Sequence, residues 1–113
     1  MGDRRTAEII SGEDKIYFYT HWSGHRMEAI ASVALRFAEE RRHDKPYALR
    51  AVIDQLIKYT DSRDQLTNSG IMFGADLEDE YALNGVGPSL IIDLNNWVVL
   101  NTSDSDIDRN ARR

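Results

Sequence analysis

The sequence predicts an α+β fold: element order β-α-α-β-β-β, a mostly antiparallel sheet, and two helices packed on one face of it. Three observations carry this expectation. Residues 15–20 form an aromatic, β-branched run; residues 25–42 and 46–60 repeat apolar side chains at helical spacing; and two short apolar runs, 89–94 and 97–100, flank Asn95-Asn96. The 113 residues correspond to one domain, and a 42% hydrophobic content supplies one core.

In chain order, residues 1–14 are polar apart from Ile9 and Ile10, and are expected to form a flexible N-terminal arm. The first strand follows, with Ile16, Phe18 and Thr20 on one face and Tyr17 and Tyr19 on the other. The first helix places Met27, Ile30, Ala31, Ala34, Leu35 and Ala38 on its core stripe, with Val33 and Phe37 widening the apolar arc. Asp44-Lys45-Pro46 breaks it and opens the second, Pro46 fitting a first-turn position. That helix carries Leu49, Val52, Ile53, Leu56 and Ile57 inward, with Arg50, Asp54 and Lys58 along a solvated face.

A polar loop leads to a short strand, 70–74, and then to an acidic excursion containing Asp76, Glu78, Asp79 and Glu80. Asn95-Asn96 predicts a two-residue hairpin turn with positive φ, and Asp93 is expected to accept hydrogen bonds from that turn. The single domain spans 15–102, and 103–113 is a polar tail. Tyr17, Tyr19 and their neighbours leave one sheet face apolar, which predicts a homo-oligomer.

Composition narrows the function. There are no cysteines, so disulfides and thiolate metal sites are excluded. No apolar run approaches the roughly 18 residues of a membrane span, and no signal-peptide core opens the chain, so a cytoplasmic protein without a membrane partner is expected. A formal charge of −5 argues against bulk nucleic-acid binding and leaves room only for a local basic site.

The residues that attract attention sit in the connector after the first strand: His21, Trp22, Ser23, Gly24, His25 and Arg26. A strand-to-helix elbow aims backbone N–H groups and the positive helix end at one place, a natural anion site. His21 and His25 are four apart but not on one helix, which disfavours a metal, and none is expected. Ser23 lacks the Gly-x-Ser-x-Gly frame of a nucleophile elbow, so its plainer role is a helix N-cap. Trp22 offers a flat surface for a nucleobase, its plainer role being a packed lid or interface anchor. Tyr19 ends the strand beside it, Phe73 offers a second wall, and Arg109 in the tail offers a further cation; together these nine residues form the candidate ligand site. No cofactor is implied, and no paired acid and base suggest catalysis.

The run Tyr19-Thr20-His21-Trp22-Ser23-Gly24-His25, the helical run 47–57 and the strand Leu90-Ile91-Ile92-Asp93-Leu94 together resemble small proteins encoded by phages and prophages that carry a His-Trp-x-Gly elbow. In general plan the chain is similar to sponge proteins, which capture nucleotide messengers of bacterial defence. That resemblance implies a non-enzymatic, oligomeric binder of a small phosphate-bearing nucleotide, such as a cyclic ADP-ribose-like signal, in an infected cell. A protein-binding inhibitor of a host protein, acting through its sheet face and acidic surface, is the alternative. A nucleotide-cleaving enzyme ranks third.

Overall fold

The computed structural model describes residues 4–21, 23–60, 69–73 and 88–101. Among the described residues there are five strands and two α-helices. They are β1 (Arg5–Ser11), β2 (Asp14–Thr20), α1 (Met27–Ala38), α2 (Lys45–Thr60), β3 (Ser69–Met72), β4 (Pro88–Asp93) and β5 (Val98–Asn101). The strands form one sheet in the order β3-β2-β1-β4-β5. All neighbours are antiparallel except β1 and β4, which run parallel.

The expected α+β class and mostly antiparallel sheet are therefore observed, with one strand more at the start. The stretch 5–11, expected within a flexible arm, is the central strand. Ala7 and Ile9 point to the helices and are buried, while Glu8 and Ile10 point the other way. A methyl group alternating with an isoleucine is a faint apolar signal, and the adjacent Ile10 hides its period. Ser11 pairs with Asp14, so Gly12-Glu13 is a two-residue turn. Gly12 has φ +64° and Glu13 no positive φ, the pattern of a type II′ hairpin.

Both helices pack on one sheet face. Phe18, Ile9, Leu90 and Ile92 meet Met27, Ile30, Ala31, Leu35, Val52 and Leu56 in a single core. All six residues of the expected α1 stripe are buried, but Val33 and Phe37 are 42% and 61% exposed instead of extending it. The buried face of α2 is turned from the expected one: Ala48, Val52, Gln55, Leu56 and Thr60 face inward and Ile57 is exposed. Leu49 and Ile53 of the expected stripe still pack against the core, half-buried. Asp44 accepts from the backbone of Tyr47 at 3.3 Å, closing the N-terminus of α2.

The β4–β5 hairpin departs from the two-residue turn. Asp93 pairs with Val98, leaving a four-residue loop, and the positive φ falls on Trp97 at 59°, not on an asparagine. The physical reason lies in the indole: its Nε1 donates to the carbonyl of Leu35 at 3.1 Å. Asp93 does accept from the turn, through the backbones of Asn95 and Asn96 at 2.8 and 3.1 Å and the Asn96 amide at 2.8 Å. No helix among the described residues is long and apolar enough to cross a membrane.

Candidate functional site

The elbow joins β2 to α1 directly beneath the C-terminal end of α2. After Thr20 the chain bends at His21, and Gly24–Arg26 makes one tight 3-10 turn before α1. A helix's last carbonyls have no partner within the helix and need outside donors. The elbow supplies them. Ser23 Oγ donates to the carbonyl of Thr60 at 3.2 Å, and the Arg26 guanidinium donates to that of Tyr59 at 3.2 Å.

This corrects the expected role of Ser23. Its side chain makes no N-cap bond to the following turn; it is buried and clamps the end of α2. Gly24 is buried too, so the serine and the glycine do not form an open anion cradle. Arg26 is exposed, and one of its five N–H donors serves Tyr59. His25 is exposed within the 3-10 turn. Half-buried His21 holds its Nδ1 3.0 Å from the hydroxyl of Tyr19, the rings meeting edge to face. Either the phenol donates to a neutral Nδ1, or Nδ1–H donates to the phenol.

Phe73 is not brought to this place. Tyr19 pairs with Gly70 and Tyr17 with Met72, so Phe73 follows the strand away from the elbow, about 10 Å beyond the Gly70 level. It is 73% exposed. Trp22, Arg109 and the acidic excursion from Asp76 to Glu80 lie outside the described residues. Among the described residues no three histidine or acidic side chains gather as metal ligands would.

What the fold does build beside the elbow is a groove of about 390 Å³ between α1 and α2, lined by Arg26, Ala29, Ile30, Val33 and Tyr59. Ala29 and Val33 stand one helical turn apart on the flank of α1 that faces α2. The Tyr59 ring stands opposite, with Lys58 Nζ 5.5 Å from its centre. The groove thus has apolar walls, one aromatic ring and one lining cation, Arg26, at the elbow end. Its volume falls at the small end of the range for ligand sites. Arg26 belongs to both the predicted elbow and this groove; Ala29, Val33 and Tyr59 are not among the residues the sequence marks as a ligand site. The available signal was Val33 standing outside the α1 core stripe with an aromatic at the last turn of the next helix.

The carboxyl pKa of Asp93 is displaced from its ordinary value. Partial burial works to raise it, but bonds from the Asn96 amide and the Asn96 and Asn95 backbones outweigh burial, and the net direction is down from 3.8. This group serves the turn and stands away from the elbow. Comparison with protein-family models, with curated proteins and with solved structures returns no match for this chain.

Proposed function

We propose that this protein is a non-catalytic binder of a small anionic ligand with a flat ring, of the phosphate-bearing nucleotide class, and that the α1–α2 groove holds it. The observation that carries this reading is the groove's composition: an apolar cleft with a tyrosine ring on one side and the exposed Arg26 guanidinium at the elbow end. The base lies against Tyr59 and Val33, and the phosphate takes the Arg26 donors not given to Tyr59. The resemblance to nucleotide-capturing phage proteins agrees with this reading, and the messengers of bacterial defence are the ligands to try first. We also read the chain as a homo-oligomer, supported by apolar side chains exposed on β5.

The test is thermal unfolding of the purified protein against a panel of nucleotides that includes cyclic and ADP-ribose-derived species. A ligand at a hundred times its dissociation constant adds about 2.7 kcal/mol of stability. Arg26→Ala and Tyr59→Ala are expected to abolish the shift while leaving the protein folded. An unchanged melting temperature across the whole panel rejects the reading.

A second reading, a protein-binding inhibitor, is favoured by Phe73 and Ile71, exposed side by side at the β3 edge. It predicts that Phe73→Ser releases a bound host protein and that Tyr59→Ala does not.

A further inference from the structure

We propose that two copies of this chain join through β5, edge to edge and antiparallel, about a two-fold axis level with Val99 and Ser32. The interface deepens the homo-oligomer part of the reading above. It uses the flank of α1 opposite the ligand groove, so its failure and that of the ligand reading are separable.

Among the described residues, β5 closes one end of the sheet and has β4 as its only strand neighbour. Such an edge presents unpaired N–H and C=O groups to any extended chain of matching length. Sheet edges are commonly guarded by lysine, proline or inward charge, and Val98-Val99-Leu100-Asn101 carries none of these. On the face away from the helices, Val98 and Leu100 are 40% and 48% exposed. On the helix face a groove of about 410 Å³ runs between β5 and α1, with Leu35, Trp97 and Val99 at its base and Ser32, Arg36 and Glu39 along its rim.

The pattern along this rim selects the occupant. Glu28, Ser32 and Arg36 are spaced i, i+4 and i+8, one stripe along α1. Glu28 accepts from the Asn101 amide at 2.8 Å, and Ser32 and Arg36 line the groove with Val98 and Val99, so the stripe faces the β5 edge. Its charges read negative, neutral, positive. A two-fold axis at Ser32 lays Glu28 against Arg36 of the second copy and Arg36 against its Glu28. The same axis, passing Val99, sets Val98 against Leu100 of the second copy and Leu100 against its Val98. The stripe and the edge strand are thus self-complementary about one point, as an isologous interface requires. An arbitrary peptide would match the strand but has no reason to match the stripe.

The test is sedimentation equilibrium of the intact protein at low and at high salt. Wild type is expected to dimerise, and more weakly at high salt. R36E alone and E28R alone each place like charges opposite one another and are expected to weaken self-association by several-fold to tenfold, from two exposed pairs. An equimolar mixture of the two restores opposite charges at both contacts and is expected to form heterodimers at wild-type strength. Leu100→Lys, placed on the exposed face of the edge, is expected to give a monomer with unchanged helical circular dichroism. A wild type that stays monomeric at several hundred micromolar overturns the proposal. So does a Leu100→Lys dimer as tight as wild type, or a mixture of folded R36E and E28R chains that fails to pair. Ligand-induced stabilisation of Leu100→Lys, measured separately, reports on the α1–α2 groove alone.

Discussion

The two helices end in different ways, and each end is held by a residue far along the chain. At the end of α1, the Glu39 N–H turns to Arg36 in a 3-10 bond. The Leu35 carbonyl thereby loses its usual helical donor, and the Trp97 indole takes that place from the β4–β5 turn. Trp97 reaches it from a left-handed backbone conformation that costs a residue with a side chain about 1 kcal/mol. At the end of α2, no strain is involved: Ser23 and Arg26 donate from ordinary backbone positions in the elbow. One end is held by a large, half-buried ring whose packing offsets its strain. The other is held by two polar side chains, one of which, Arg26, also lines a groove. Polar residues in a connector are thus not automatically ligand contacts; a nearby helix end can absorb them.

Replacing the ring is expected to have the largest effect. Trp97→Ala loses its contacts with the core and the indole donor together, a loss of about 2–4 kcal/mol read by chemical denaturation. Trp97→Gly relieves the positive φ and is expected to be the milder of the two by up to about 1 kcal/mol; equal losses would show that the backbone is unstrained. At the other end, Ser23→Ala leaves the Thr60 carbonyl without this donor in a buried setting, at about 1 kcal/mol, whereas a serine facing solvent would cost almost nothing. Arg26→Ala removes an exposed donor and a cation at a helix C-terminus, and is expected to lower stability by only about 0.5 kcal/mol while abolishing ligand-induced stabilisation.

The smallest effect is confined to acid. Asp93 has a folded-state pKa below its unfolded value, so its contribution is present above pH 3.8 and lost as pH falls through the folded pKa. The stability difference between wild type and Asp93→Asn is therefore expected to shrink below pH 3.8 and to be constant near neutrality.

The same contrast explains how much could be read from the sequence. The α1 stripe was legible because six apolar residues keep one period and all six face the core. β1 was not, because Ala7 carries little hydrophobic weight and the Gly12-Glu13 turn joins two strands whose alternation is weak. Arg26 is legible in sequence as a cation at the elbow, but the groove it lines also needs Val33 and Tyr59, more than twenty residues apart. Their meeting depends on how two helices cross, which local spacing does not encode. Ser23 shows the converse: its neighbours in sequence suggest an N-cap, and only the packing of α2 reveals Thr60 as its partner.

The parallel seam between β1 and β4 has a consequence for how the chain folds. Arg5 donates to Ser89 at 3.0 Å across a separation of 84 residues, so the centre of the sheet closes only when opposite ends of the chain meet. The β1–β2 and β4–β5 hairpins and the helical pair are local and form fast, but none of them completes the core alone. Closing so long a loop is the entropic step that their docking must overcome. Folding is therefore expected to be a single cooperative event, slow for a chain of this size, with mutations at Ala7 and Ile92 slowing it more than mutations within either hairpin turn.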